Sequence, residues 1–293
     1  MSIASELNNL STNILNAYDA IETKGGTIPT NKNMVNIPSA VDSIPAGGSF
    51  TGIPKSVVNS EYTSTTDVTE FAIPSEATSV STYMFWYAFY QSPSLKKFDA
   101  HSITTANKGY AFARACESCG NLETIDFSNL ATVTGQGSYG FQSAFSSCSK
   151  LTSASFPKLT SVAGQSAFSN TFTNCTGLTN VSFPLLASIT GQSAFNSAFQ
   201  NCRSLTSVNF SSLATVSSSS ALSYAFRGCT SLTELRFPSL SSVGSNTNQF
   251  NNMLYGVSGC TVHFPSTMQA TIGSWASVTS GFGGTNTTVL FDL

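Results

Sequence analysis

The residues of this chain best equipped for chemistry are seven cysteines: Cys116, Cys119, Cys148, Cys175, Cys202, Cys229 and Cys260. Cys116 and Cys119 form a CxxC, a spacing that lets two thiolates share one zinc ion or exchange a disulfide. Zinc usually needs a second such pair or histidines alongside, and neither lies near. The two histidines, His101 and His263, are far apart in the chain. Asp99 and Asp126 are a possible carboxylate pair for acid–base work or calcium. The run GQGSYG at 135–140 has the glycines of a phosphate loop. No nucleophile elbow, HExxH, Walker loop or dinucleotide fingerprint accompanies them. The residues predict no enzyme, no metal and no cofactor.

Bulk composition narrows the partners. Only 9% of the 293 residues are charged and the net charge is -2. That gives no basic footprint for nucleic acid and no polybasic membrane patch. No stretch approaches the roughly 18–20 apolar residues that insert in a bilayer. Yet 41% of the chain is hydrophobic, with 22 Phe, so a packed core is within reach. The first 23 residues hold no Lys or Arg and no apolar run of signal-peptide type. The usual secretory route is therefore not expected.

The elements that must position these residues come from a repeat. Leu151, Leu178, Leu205 and Leu232 are spaced by 27. The same step links Val68, Leu95 and Leu122, and an interval of 29 around Gly137 and Ser138 joins Leu122 to Leu151. One unit reads LTSASFPKLTSVAGQSAFSNTFTNCTG. Alternation around Ala154 and Phe156 predicts a short strand that Pro157 ends. Leu159 and Val162 point inward from a loop. Phe168, Phe172 and Cys175, at i, i+4, i+7, predict a short helix of about two turns. Such units bury their apolar faces only by stacking. The stacked positions make ladders, among them Phe127, Phe156, Phe183, Phe210 and Phe237.

The cysteines follow this register. Cys119, Cys148, Cys175, Cys202 and Cys229 share one repeat position, and Cys116 falls where other units have Phe. The CxxC is a product of the repeat. Helices stacked roughly 8–10 Å apart would keep Cα pairs beyond the disulfide reach of about 7 Å. Free, buried thiols are predicted.

The unit resembles the BspA-like leucine-rich repeat family, through LTSASFP…VAGQSAF…NCTGL and LTNVSFP…ITGQSAF…NCRSL, over about Val68 to Pro265. About four residues more than in the family unit separate the AF from the C, which predicts one added helical turn. The resemblance implies a bent solenoid used for adhesion and binding. The expected fold is an α/β repeat solenoid: parallel strands on one face, short helices on the other, and a small helical N-terminal segment.

The ends differ in kind. Residues 1–48 read as an attachment or oligomerisation segment and linker, and 49–293 as the solenoid, with repeats from about 68 and a cap at about 259–293. Ile3, Leu7, Leu10, Ile14, Ala17 and Ile21 form a heptad seam. It suits either packing on the first repeat or a homo-oligomer. Residues 14–45 are similar to N-terminal segments of phage and prophage tail-associated proteins. Trp275 and Phe282 are candidates to cover the last coil. The candidate binding surface is the concave strand face: Lys97, Asp99, Thr124, Asp126, Ser153, Ser155, Asn180, Ser182, Ser207, Asn209, Glu234 and Arg236. Two functions follow. One is a phage or prophage virion protein that contacts other virion proteins and a host surface protein or glycan. The other is a bacterial cell-surface adhesin of the same repeat family, whose export signal would lie outside this chain.

Overall fold

The computed structural model describes residues 50–51, 68–73, 75, 77–80, 82–135, 138–244, 247–276 and 281–293. The heptad seam, the 1–48 segment and the phage-like run lie outside them. The described chain winds as a parallel β-solenoid of about eight turns.

Each central coil has three sides. The first is a three-residue strand, as in Ser153–Ser155, Asn180–Ser182 and Ser207–Asn209. Its middle residue is buried and its neighbours face out, the two-residue alternation of a pleated strand. The second side is a two-residue strand, as in Ser161–Val162, Ser188–Ile189 and Thr215–Val216. It replaces the expected loop. Val162, Ile189 and Val216 do point inward, but from a continuous parallel ladder of six strands. Successive strands pair in register, so Ser188 sits between Ser161 and Thr215.

The third side corrects the expectation of helices. The segment holding Phe168, Phe172 and Cys175 is a ribbon of turns. Alternate N–H groups, of Phe168, Asn170, Phe172 and Asn174, donate to the next coil, at Ala194, Asn196, Ala198 and Gln200. The N–H groups between them close local turns three residues back, as Ser169 does to Ser166 and Thr171 to Phe168. Ser166, Asn170 and Asn174 have φ of 50°, 56° and 61°, one left-handed residue every four. An α-helix keeps all its N–H bonds inside itself. Here the neighbouring coil takes half of them. The four extra residues extend this ribbon by one period. Among the described residues the α-helix is α1, Gln269–Ala276, near the C-terminal end.

The core is a stack of rings. Phe156 lies 5.2 Å from Phe183, Phe168 4.9 Å from Phe195, and Phe172 5.7 Å from Phe199, each pair nearly parallel. All are buried. These spacings follow from the roughly 4.7–4.9 Å between hydrogen-bonded strands. Offset-stacked aromatic pairs add about 0.5–1.5 kcal/mol each beyond the area they bury.

At one end Phe50–Thr51 pairs with Phe71–Ala72, which carries the parallel ladder one coil ahead of the first recognisable repeat. At the other, Ile272 of α1, Met268 and Phe282 are buried beneath the last coil. Phe282 stacks 6.3 Å from Phe264, the covering role expected of it. The side chain of Trp275 lies outside the described part.

Candidate functional site

The thiols are interior groups. All seven cysteines are free and buried. Five donate to a carbonyl of the preceding coil: Cys119 to Phe89, Cys148 to Cys116, Cys175 to Phe145, Cys202 to Phe172 and Cys229 to Phe199, at 2.9–3.2 Å. Burial pushes the thiols of Cys175 and Cys229 up to about 12. A thiol held so far from ionisation is neither nucleophile nor ready metal ligand. The distance bar to disulfides expected from stacked helices does not hold, because coils approach at strand spacing, not helix spacing. Among the described residues no three His, Cys, Asp or Glu side chains gather as a metal site.

The strand face carries the twelve residues singled out from the sequence, and none of them is buried. Lys97 pairs in register with Thr124 and Asp99 with Asp126. Ser153 faces Asn180 and Ser155 faces Ser182. Ser207 faces Glu234 and Asn209 faces Arg236. The parallel pairing lines these side chains up within three successive sheets, which together carry two rows along the solenoid.

Charge is confined to the ends of the rows. At one end Asp99 accepts the His101 backbone N–H at 3.1 Å, meets His101 Nδ1 at 2.6 Å and pairs with Lys97 Nζ at 3.3 Å. Burial pushes the Asp99 carboxyl up, but these bonds outweigh it and hold the group below its ordinary value. Asp126 accepts the Ser128 backbone N–H at 2.8 Å. Each carboxylate is tied to its own local turn. At the other end Arg236 meets Glu234 at 3.0 Å, and His263 lies between Glu234 at 3.5 Å and Asp292 at 2.9 Å. His101 and His263 do not meet. Between the two ends the face offers only hydroxyls and amides.

Sequence reasoning missed an aromatic surface on the ribbon side of the first coils. Tyr83, Tyr110 and Tyr139 stack with centroids 5.0 and 4.9 Å apart. Tyr83, Trp86, Tyr87 and Tyr90 make an edge-to-face run across the first of these coils. The signal was present: the three tyrosines keep the 27- and 29-residue steps of the repeat. A search confined to strands does not reach them. A smaller cluster holds Arg227 between Tyr224 and Tyr255.

A stacked array with rows of exposed side chains and an inert interior defines a repeat-solenoid scaffold of the kind that presents extended binding surfaces. The BspA type leucine rich repeat region matches over residues 55–195 and 169–276, in six copies. The chain belongs to that family. Similar solved structures include the leucine-rich repeat protein TpLRR of T. pallidum, 19% identical over 72% of this chain and 91% of that one, TM-score 0.34. A leucine-rich cell surface protein of Faecalibacterium prausnitzii is 14% identical over 82% of each chain, TM-score 0.32. A leucine-rich repeat protein of Bacteroides ovatus is 18% identical over 78% and 83%, TM-score 0.25. No curated protein matches significantly.

Proposed function

We propose that this chain is a non-enzymatic adhesion protein of the bacterial cell-surface kind, whose strand face binds a host surface protein or glycan. The observation that carries the reading is the pair of in-register rows, neutral in the middle and charged at the ends. Membership of a repeat family used for binding supports it. A neutral partner rich in hydroxyls and amides fits the centre, through hydrogen bonds that need no counter-charge. No cofactor enters the proposal. A second reading, a phage or prophage tail component made in the cytoplasm, rests on the N-terminal run. Tail genes beside the coding sequence would favour it, and secretion or anchor genes the first.

The test is a binding screen of the whole chain against extracellular-matrix proteins and host glycans. Ser182→Lys with Asn209→Lys puts charge into the neutral centre at positions open to solvent. Binding is expected to weaken at least about tenfold, a change of about 1.4 kcal/mol, with the unfolding midpoint retained. A screen with no ligand, or binding indifferent to the two lysines, removes the strand face as the site.

A further inference from the structure

The repeat register accounts for Cys119 but not for Cys116. We propose that Cys116 and Cys119 form a disulfide when the chain folds in the presence of a small-molecule disulfide, a redox-sensitive staple in the turn ribbon of the early coils. Such a staple forms whichever surface binds a ligand, so it stands apart from the adhesion reading.

Packing alone would place phenylalanine at 116. Phe89, Phe145, Phe172, Phe199 and Phe226 hold the equivalent position in other coils. From Phe145 to Phe226 the rings stack at 5.3–5.7 Å. Cys116 breaks this row, and a thiol forfeits the ring contacts on both sides. It is nonetheless buried, as is Cys119. The Cys119 N–H donates to the Cys116 carbonyl at 3.2 Å and closes a turn with Ser118 at φ 65°. Such a turn keeps its end Cα atoms within about 7 Å, and a disulfide spans about 4.4–6.8 Å. The two thiols are in direct hydrogen-bonding contact.

The ladder thiols are placed differently. Cys119, Cys148, Cys175, Cys202 and Cys229 share one repeat position, and each donates to a carbonyl of the preceding coil. Side chains related by the coil step keep their Cβ atoms roughly 4.7–4.9 Å apart. That exceeds the Cβ separation of about 3.5–4.5 Å in a disulfide. Cys116 stands off the ladder and shares a turn with one of its members. Burial holds the Cys116 thiol well above its ordinary value, and a neutral thiol does not attack. Exchange therefore belongs to the folding or opened chain. There one thiolate attacks a small-molecule disulfide such as oxidised glutathione and releases one thiol. The second cysteine then displaces the mixed disulfide and releases another. The pair gives up two electrons and two protons, a protein S–S bond forms, and the reagent's S–S bond becomes two thiols. Oxidation forfeits the Cys119 bond to the Phe89 carbonyl at 2.9 Å and restrains the unfolded chain in exchange.

The experiment refolds the whole chain, reduced and denatured, in rising ratios of oxidised to reduced glutathione, and counts thiols with a maleimide in denaturant. Kept reduced throughout, the protein is expected to show all seven. At oxidising ratios the count should fall from seven to five, with Cys116 and Cys119 the missing pair. A protease that cuts after Glu117 parts these two cysteines, and their fragments should stay joined until reductant is added. Cys116→Phe copies the other coils, and Cys116→Ala adds no bulk. Both should keep their remaining six thiols free in the same buffers, with circular dichroism reporting that they fold. Cys148→Ser should leave the staple in place. Reductant should lower the urea midpoint of the oxidised wild type and leave the midpoints of both Cys116 variants unchanged. Seven free thiols at every ratio overturn the proposal. So do fragments that separate without reductant, a bond that maps to Cys148 or a later cysteine, or a wild-type midpoint indifferent to reductant.

Discussion

Phe183 shows what one side chain contributes. Its ring lies between Phe156 at 5.2 Å and Phe210 at 6.2 Å, and edge-on to Phe195 at 5.6 Å. It is 1% exposed, and its neighbours belong to three coils that cannot collapse separately. Phe183→Ala is therefore expected to cost about 3–5 kcal/mol, read from urea denaturation. The cysteines predict the opposite of their usual behaviour. With Cys175 and Cys229 pushed up to about 12, almost no thiolate exists at pH 8. A thiol reagent should label none of the seven in the native protein and all seven in denaturant. Rapid native labelling of Cys175 or Cys202 would show that the ladder opens locally. The phenylalanine and cysteine rows are legible in the amino-acid sequence, because a constant repeat step determines which residues touch.

At the scale of the element, the turn ribbon is where sequence and structure part. Phe168, Phe172 and Cys175 have a spacing that suits a helix face, and that period alone points to a helix. Composition points elsewhere. The segment SAFSNTFTNC holds Ser, Thr and Asn where a helix prefers Leu, Glu, Lys or Arg. Serine and asparagine recur every four residues, at the left-handed positions 166, 170 and 174. Periods of four and 3.6 are hard to tell apart over two turns. What decides is the neighbouring coil, whose carbonyls take alternate N–H groups. One unit read alone cannot display that partner. The second ladder was hidden for the same reason: Ser161 and Val162 become a strand only beside Ser188 and Ile189. The strand face was easier, since the alternation within Ser153–Ser155 already separates outward from inward positions. Its ligand was not legible, because hydroxyl rows serve many partners. The ribbon predicts its own test. Asn170→Val places a β-branched residue at φ 56° and should cost about 1–2 kcal/mol, whereas Asn170→Gly should be neutral or slightly stabilising. A helix would reverse that order, since glycine is the poorer helix former.

At the scale of the molecule, each coil among the described residues packs on its neighbours, so stability is a sum of coils and interfaces. Gly191 lies at such an interface. A Cβ there would collide with the carbonyl oxygen of Gly164 in the preceding coil, and the nearest atoms are backbone. No rotamer relieves the clash. The coil must move away, and with it the bonds from Thr190 and Gly191 back to Val162. Gly191→Ala is expected to lose about 1–3 kcal/mol, the cost of overpacking a tight interior. How the loss spreads is the sharper question. In a chain of nearest neighbours it stays near the altered interface. Hydrogen exchange should then quicken first at Ser166 and Phe168, which donate to Gln192 and Ala194 across that interface. Phe112, bonded to Gly140, and Leu254, bonded to Phe282, should keep their protection until global unfolding. If all four amides instead lose protection together, the array unfolds as one block, and the separate-coil account of its stability is wrong. The outcome also bears on the strand face. With local spread, the charged ends of the strand face keep their shape in this variant, while its neutral centre loosens.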